Sequence, residues 1–243
     1  MIVDAHVRLG DGREASLSAQ TLLSTMDELG IDVALASPAE RDIAFSNEDG
    51  NAAVCAAAAA SGGRILPYAV ATPWRADAVE VLAKAADAGA VALAVDPALQ
   101  GFDLLDGLIE PLLAFAASRG WFVYVRTGTP PAALPLPLAT LARRHPELRF
   151  LMGRSGATDF WIDAVPALRH AENLFADTSY APWDTVLTSF AVDESIGTDR
   201  VVFSTDLPYT VGEAELKRIR DWNIADQARA AVLATNIQSL LGN

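Results

Sequence analysis

Short apolar runs rich in β-branched residues alternate along this chain with longer alanine- and leucine-rich segments of helical periodicity. The short runs predict eight strands, at Ile2–His6, Asp32–Ser37, Ile65–Ala71, Val91–Asp96, Phe122–Arg126, Arg149–Arg154, Leu174–Thr178 and Val201–Asp206. The longer segments predict helices, and several of them begin at a capping side chain and end at a glycine. These helices are Ser18–Leu29, Asn51–Ser61, Ala76–Ala88, Leu104–Arg119, Leu136–His145, Thr158–His170, Trp183–Ile196 and Gly212–Trp222.

Strict alternation of strand and helix indicates an α/β fold with parallel strands joined by right-handed crossovers. Eight such units close most naturally into a single (β/α)8 TIM barrel, and a doubly wound open sheet is the alternative. The segment Ala225–Leu241 predicts a C-terminal helical extension, of one or two helices packed across one end of the barrel. No compositional break divides the 243 residues, so we expect a single barrel domain over residues 1–243.

Composition restricts the environment and the partners. The hydrophobic content of 51% is enough for a large core, and the net charge of -13 argues against nucleic-acid and membrane-surface partners. The single cysteine, Cys55, excludes an internal disulfide and is typical of a reducing compartment. The sequence has neither a signal-peptide pattern at its start nor an apolar run long enough to span a bilayer. We therefore expect a cytoplasmic protein, either a monomer or a homodimer.

Polar side chains stand near the carboxyl ends of several predicted strands, which is where the active sites of this barrel lie. His6 and Arg8 are two residues apart, so a strand would aim both of them to the same side. The other strand-end residues are Asp96, Arg126, Arg154 and Asp206. Four aromatic residues that follow predicted strands could line the same mouth, and they are Trp74, Tyr180, Trp183 and Tyr209.

Several segments also resemble the ordered motifs of a known family. They are Met1–Gly10, Val123–Gly128, Phe150–Gly156, Asn173–Ser179, Val202–Tyr209 and Asn236–Leu241. Together they resemble the amidohydrolase superfamily, in particular its amidohydrolase-related metal-dependent hydrolase branch. The resemblance implies a barrel whose metal ligands come from strands one, five, six and eight.

Where that family has metal-binding histidines, this chain has arginines. The resemblance places Arg8, Arg126 and Arg154 at three of four histidine positions and keeps the strand-eight aspartate as Asp206. A guanidinium group stays protonated and has no lone pair to give, so it is not an ordinary metal ligand. We therefore expect neither a metal nor another cofactor, although a weak site formed by Asp4, His6, Asp96 and Asp206 stays open.

Two hypotheses about the arginines remain open. They could hold a small anionic molecule, because a guanidinium recognises carboxylate or phosphate in a planar, bidentate way. Alternatively, they could pair with Asp4, Asp96 and Asp206 in a salt-bridge network, which adds little net stability when it is buried.

The first hypothesis predicts a metal-independent, amidohydrolase-like hydrolase of a small anionic lactone, ester or amide. Asp206 would act as the general base and His6 as the proton carrier. The expected substrate-binding residues are Arg8, Arg126, Arg154, Asp96 and Tyr180. The alternative function is a catalytically inactive barrel that binds an anionic ligand or a protein partner.

Overall fold

Eight parallel strands form one sheet in sequence order in the structure, a computed structural model that describes residues 1–156, 161–180 and 184–242. The strands are β1 Val3–Leu9, β2 Val33–Pro38, β3 Ile65–Ala69, β4 Ala92–Val95, β5 Val123–Arg126, β6 Phe150–Gly153, β7 Leu174–Asp177 and β8 Val201–Val202. The Ala5 N–H donates to the Phe203 carbonyl at 2.9 Å and brings the chain after β8 against β1. The predicted (β/α)8 barrel is confirmed, and the open-sheet alternative is wrong.

Helices follow the strands and cover the outside of the barrel. They are α1 Ala19–Leu29, α2 Glu40–Ala44, α3 Asn47–Ala60, α4 Ala78–Asp87, α5 Pro97–Gln100, α6 Glu110–Ser118, α7 Pro135–Arg144, α8 Ala164–His170, α9 Asp184–Val192, α10 Gly212–Asp221, α11 Asp226–Ala230 and α12 Asn236–Leu241. Parts of the helices predicted at Thr158–His170 and Trp183–Ile196 lie outside the described residues. Among the described helices, none has both the length and the apolar character that a membrane crossing requires.

Helix α6 begins at Glu110 rather than at Leu104, where the periodicity predicted its start. The Asp103 carboxylate accepts the Leu105 N–H at 2.9 Å, and the Asp106 carboxylate accepts the Leu108 N–H at 2.8 Å. Such local side-chain bonds compete with helical backbone bonds and favour turns. The apolar spacing before Glu110 therefore belongs to a turn that packs on the core.

Strand β1 contains a one-residue irregularity in its register with β2, located between Asp4 and Val7. Before it, Val3 and Ala5 pack in the barrel interior, whereas after it Val7 and Leu9 pack outward with the helices. An extra residue exchanges the two faces of a strand. The irregularity therefore brings His6 and Arg8 to the interior face, which Asp4 does not share although these three residues are spaced two apart.

His6 and Arg8 reach the site because of this change of face. The His6 ring stacks on the interior ring of Tyr124, with centroids 4.1 Å apart and planes 10° from parallel. In a regular strand, the Asp4 side chain would lie on the same face as those of His6 and Arg8, but in the structure it does not.

Strand β8 is shorter than predicted. It ends at Val202, and the chain then continues to Asp206, which has a left-handed backbone conformation with φ 56°.

The amino end of the barrel is closed by the C-terminal helical segment, as predicted. Ala234, Ile237 and Leu240 pack in the same interior cluster as Val3 and Ala5 of β1. Near this end, the Asn236 side-chain amide donates to the carbonyl groups of Thr198 and Val201 at 2.8 and 2.7 Å. Apolar packing therefore fills one end of the barrel and leaves the carboxyl end for polar groups.

Candidate functional site

A cavity of about 700 Å³ opens at the carboxyl ends of the strands. All five predicted substrate-binding residues line it, namely Arg8, Asp96, Arg126, Arg154 and Tyr180, and Glu40 and Tyr209 join them. The two predicted catalytic residues, His6 and Asp206, are buried and bond each other, and Asp206 also contacts Arg126 and Arg154. The strand-end residues therefore converge on one site, which we call the mouth cluster: His6, Arg8, Asp96, Arg126, Arg154, Asp206 and Tyr209.

Asp206 lies at the centre of the mouth cluster and is fully buried. Arg154 donates to Oδ2 from Nε at 2.8 Å and from Nη2 at 2.7 Å, and Arg126 Nη1 lies 3.2 Å from Oδ1. Burial alone would raise the pKa of Asp206, but Arg126, the His6 hydrogen bond and Arg154 hold it well below its ordinary value. Asp206 is therefore ionised at neutral pH and is a weak base.

Asp96 is the second carboxylate of the mouth cluster. Its Oδ2 lies 2.6 Å from Arg8 Nη2 and 3.7 Å from Arg126 Nε, while its Oδ1 accepts the Leu99 N–H at the start of α5. Arg126 thus bridges Asp96 and Asp206. Three guanidinium groups thus face the carboxylates of Asp96 and Asp206, and a third carboxylate, that of Glu40, also lines the cavity.

The salt-bridge hypothesis expected Asp4 to pair with an arginine, and the structure shows no such pair among the described residues. Its carboxyl group instead accepts the Thr205 N–H at 2.9 Å and the His6 N–H at 3.2 Å, and bonds the Thr205 hydroxyl at 2.5 Å. Burial raises the pKa of Asp4 to about 7. Asp4 precedes the β1 irregularity whereas Arg8 follows it, and this explains why the Asp4 side chain does not reach the arginines. Asp4 ties β1 to the segment that carries Asp206.

His6 lies beneath the arginines with both ring nitrogens engaged. Nδ1 lies 3.2 Å from Asp206 Oδ1, and Nε2 lies 2.9 Å from the Ser37 hydroxyl. Burial lowers the pKa of His6 to about 4, so the ring is neutral at pH 7. Because the Asp206 carboxylate only accepts, the proton belongs on Nδ1, and Nε2 accepts from Ser37. This arrangement orients Asp206.

Two tyrosines complete the wall of the cavity. The guanidinium carbons of Arg8, Arg126 and Arg154 lie 5.8, 5.1 and 5.8 Å from the ring centroid of Tyr209. Arg154 also lies 4.2 Å from the ring centroid of Tyr180, within the range of cation–π attraction. Tyr209 was absent from the predicted substrate-binding set, although sequence analysis named it as the last residue of the strand-eight motif and as an aromatic residue that could line the mouth.

The other aromatic residues expected near the mouth have different positions. The Trp74 indole N–H donates to the Gln100 carbonyl at 2.7 Å, and more than half of that side chain is exposed. Trp183 lies outside the described residues.

The Tyr209 hydroxyl donates to Glu40, a residue that follows β2 and that sequence analysis did not single out.

The backbone of the site is unusual. Within the described ranges, the non-glycine residues with positive φ are Arg154 (60°), Ser155 (48°), Tyr180 (55°) and Asp206 (56°). All four follow β6, β7 or β8 at the mouth. Left-handed conformations of this kind cost roughly 1–3 kcal/mol each and collect where function fixes the backbone. The backbone therefore points to the same place as the side chains.

The donor set at the mouth does not match a divalent metal ion. No group of three or more His, Cys, Asp or Glu side chains in the described part of the chain is placed to hold one. His6 and Asp206 bond each other, and Asp206 also faces two fixed positive charges. That the three arginines replace metal-binding histidines of a relative remains a prediction.

Solved structures with the same fold include several decarboxylases. A 2,6-dihydroxybenzoate decarboxylase from Rhizobium is 19% identical, with a TM-score of 0.77 over 99% of this chain and 98% of that one. A dihydroxybenzoic acid decarboxylase from Polaromonas with bound manganese and 2-nitroresorcinol is 14% identical, with a TM-score of 0.73 and coverages of 99% and 96%. A 5-carboxyvanillate decarboxylase from Novosphingobium aromaticivorans, complexed with manganese and a nitrobenzoic acid, is 14% identical, with a TM-score of 0.77 and coverages of 100% and 96%.

These relatives correct the predicted activity. A metal-independent hydrolase of a lactone, ester or amide is wrong, because the three solved structures above are decarboxylases and two of them hold manganese. The error has a chemical reason. The three arginines led to the prediction of an anionic ligand, but positive charge at a site does not indicate which bond of a ligand breaks.

The sequence itself carries the family relationship. A family model described as an amidohydrolase matches residues 3–242, which include every strand and every member of the mouth cluster. Among curated proteins, none matches the sequence significantly. The chain therefore belongs to the amidohydrolase family of enzymes.

Proposed function

We propose that this chain is a carboxy-lyase that binds an aromatic carboxylate at the mouth of the barrel and releases its carboxyl group as carbon dioxide. The observation that carries the proposal is the convergence of Arg8, Arg126 and Arg154 around the ring of Tyr209 in the cavity. The dihydroxybenzoate and carboxyvanillate decarboxylases with the same fold support the reaction class.

The charges of the mouth cluster suit a ligand with one carboxylate. The side chains of Arg126 and Arg154 are 11% and 13% exposed, so both are accessible from the cavity. Arg8 is more deeply buried, and its Nε–H has no hydrogen-bond partner among the described residues. Guanidinium groups bind carboxylates through paired, charge-assisted hydrogen bonds. One carboxylate would accept from guanidinium N–H groups that Asp96 and Asp206 leave free.

The aromatic walls suit a flat ring. Tyr180 and Tyr209 both line the cavity, and each already lies near a guanidinium group. Aromatic rings pack against other rings in offset or edge-to-face arrangements, which add about 0.5–1.5 kcal/mol beyond burial. An aromatic carboxylate therefore fits both the charge and the apolar surface of the cavity.

The reaction exchanges one bond of the ring carbon for another. The carbon that carries the carboxylate takes up a proton, the bond to the carboxyl carbon breaks, and carbon dioxide leaves. A deprotonated hydroxyl group beside the carboxylate assists, because its oxygen supplies electrons to the ring and recovers negative charge as carbon dioxide departs. A guanidinium group close to that oxygen stabilises the recovered charge.

Asp206 has a positioning role in this proposal. Its low pKa keeps it ionised, so it does not deliver the proton at neutral pH. Its contacts instead hold Arg126 and Arg154 at the mouth. The proton is drawn from solvent, which reaches the ring through the open cavity.

Calorimetry and product analysis test the proposal. The protein is titrated with 2,6-dihydroxybenzoate and with resorcinol, which is the same ring without the carboxylate. We expect the carboxylate to bind at least about tenfold more tightly, and Arg126→Met to weaken it about 10- to 100-fold, because a hydrogen bond to a charged group contributes roughly 1.5–3 kcal/mol. Arg169→Met is the matched control, since Arg169 pairs with Asp193 away from the mouth and is 60% exposed.

Turnover is then measured by release of carbon dioxide and formation of resorcinol, with and without added Mn²⁺. Formation of both products in equal amounts supports the proposal. Equal affinity for the two ring compounds would remove the carboxylate-binding role. Tight binding without carbon dioxide release from any hydroxybenzoate tested would overturn the reaction class.

A further inference from the structure

We infer that Asp177 is a positioning residue that fixes the backbone of Arg154 and thereby aims the Arg154 guanidinium into the mouth. The inference rests on the proposed function for what the mouth binds, but its geometry stands independently. Asp177 is the last residue of β7 and is fully buried. It does not line the cavity, so it acts through another residue rather than on the ligand.

One carboxyl oxygen of Asp177 joins the ends of two strands. Its Oδ1 accepts the Arg154 N–H at 2.8 Å and both the N–H and the hydroxyl of Ser179 at 3.0 Å. The Ser155 hydroxyl donates to the Asp177 main-chain carbonyl. The turn after β6 is thus tied to β7 at two consecutive residues.

This turn needs support because its backbone is strained. Arg154 and Ser155 both have left-handed conformations, with φ of 60° and 48°, which cost an L-residue about 1–2 kcal/mol each. Just before them, a Cβ on Gly153 would lie 2.3 Å from the Tyr124 hydroxyl oxygen, so the chain passes this ring where only glycine fits. The sharp turn that follows directs Arg154 back toward Asp206 and across the ring of Tyr180.

The surroundings of Asp177 are not those of a group selected for stability. Its Oδ2 is buried and has no hydrogen-bond partner among the described residues, and the same holds for the Tyr124 hydroxyl. A buried polar atom without a partner costs about 1–3 kcal/mol. An apolar residue would avoid that cost, but it could not accept the Arg154 N–H. The need to hold Arg154 explains why the carboxyl group is there.

The protonation state of Asp177 suggests the matched variant. Burial, followed by the nearby charge of Asp206, raises the pKa of Asp177 well above its ordinary value and so favours the protonated, neutral form. A neutral carboxyl group and an asparagine amide both present an Oδ1 acceptor. Asp177→Asn should therefore keep Arg154 in place, whereas Asp177→Ala should release it.

Hydrogen exchange of the full-length protein tests the positioning without any ligand. In Asp177→Ala, we expect the amides of residues 154 and 179, both of which donate to Asp177 Oδ1, to exchange at least about tenfold faster, the loss that corresponds to about 1.4 kcal/mol. In Asp177→Asn they should stay within about threefold of the wild-type rate. Wild-type exchange at these amides in the alanine variant would overturn the inference, and so would equal acceleration in both variants.

Affinity for 2,6-dihydroxybenzoate then separates positioning from general destabilisation through a double-mutant cycle. Asp177→Ala should weaken binding by about the same factor as Arg154→Met, and the double variant should be no weaker than Arg154→Met alone. Independent, multiplying effects would overturn the coupling. If the wild-type protein does not bind this ligand, the proposed function fails while the exchange result still decides the role of Asp177.

A second variant covers the case in which Asp177→Ala does not fold. Ser155→Ala removes only the hydroxyl bond to the Asp177 carbonyl and leaves the carboxyl group intact. We expect faster exchange at the residue 154 amide than in the wild-type protein, and weaker ligand binding, because the turn loses one of its two ties to β7. No change in either quantity would contradict the inference.

Discussion

The two ends of this barrel bury their interior residues by opposite means. At the amino end, Ala234, Ile237 and Leu240 fill the interior with apolar side chains. At the carboxyl end, Arg8 and Asp206 are as deeply buried as those side chains are, but they carry charge. Apolar burial contributes about 25 cal/mol per Å², whereas a buried ion network is close to neutral or unfavourable compared with apolar packing. The difference locates function, because stability alone would not fill the mouth with charges.

The largest expected effect comes from removing the carboxylate that the cations share. Asp206→Ala leaves Arg126 and Arg154 without their closest counter-charge, so we expect a loss of about 3–5 kcal/mol in the free energy of unfolding. Denaturant titration measures it. Asp221→Ala is the control, because Asp221 is 61% exposed and pairs with Lys217 on a helix surface, where about 0.5 kcal/mol is expected. Similar losses in the two variants would show that the mouth behaves as ordinary surface.

A cavity at the opposite end should give the next largest loss without touching the site. Ile237 is fully buried in the interior cluster, so Ile237→Ala should lower the free energy of unfolding by roughly 2–4 kcal/mol. The affinity for 2,6-dihydroxybenzoate should stay within about twofold of wild type at a temperature where the variant is folded. A large change in affinity would mean that the two ends are coupled and that the comparison is too simple.

The free energy of unfolding should depend on pH through two buried groups of β1, His6 and Asp4. The pKa of His6 is lowered to about 4, so its contribution is complete above pH 6.5 and is lost as the pH falls toward 4. The pKa of Asp4 is raised to about 7, so its contribution is complete below pH 3.8 and is lost as the pH rises toward 7. The two groups therefore oppose each other between pH 4 and 7.

Asp4→Asn separates the two contributions. Without Asp4, the free energy of unfolding should rise more steeply from pH 4 to 7 than in wild type, and the difference between variant and wild type should grow by roughly 1–3 kcal/mol. Denaturant titrations at several pH values measure this difference. A constant offset between the two proteins would show that Asp4 titrates normally in the folded state.

The hydrophobic pattern predicted the barrel well, because each strand and each helix can be recognised from the periodicity of its own residues. It also brought together His6, Arg8, Asp96, Arg126, Arg154 and Asp206, since the ends of parallel strands meet at one face of the sheet. It could not show the irregularity in β1, which depends on pairing with β2 rather than on the residues of β1. For that reason Asp4 was grouped with the arginines, although its side chain bonds Thr205.

Other parts of the site depended on contacts distant in sequence. Asp177 is a polar residue at the end of a predicted strand, so the rule that selected Asp96 and Asp206 would have selected it too. Ser37 is likewise a polar residue at the end of a predicted strand, whereas Glu40 gave no such signal, because its role depends on Tyr209 far along the chain. The reaction class was beyond the sequence pattern, since charge at the mouth describes the ligand and not the bond that breaks.

The smallest expected effect concerns which part of Tyr209 the site uses. Its hydroxyl donates to Glu40, while its ring lies within 6 Å of the guanidinium groups of Arg8, Arg126 and Arg154. Cation–π attraction contributes about 0.5–2 kcal/mol when the groups are partly desolvated, as they are here. The ring rather than the hydroxyl should therefore set the geometry of the cations, unlike at the amino end, where any apolar side chain of suitable shape would pack.

Two variants test this last expectation. Tyr209→Phe keeps the ring, so affinity for 2,6-dihydroxybenzoate should change by only about two- to threefold and the free energy of unfolding by less than about 1 kcal/mol. Tyr209→Leu removes the ring and should weaken the ligand about fivefold to tenfold, because the three cations lose their shared aromatic neighbour. Calorimetric titration of both variants compares them directly. If Tyr209→Phe binds as weakly as Tyr209→Leu, the bond to Glu40 holds the mouth together and the ring only fills space.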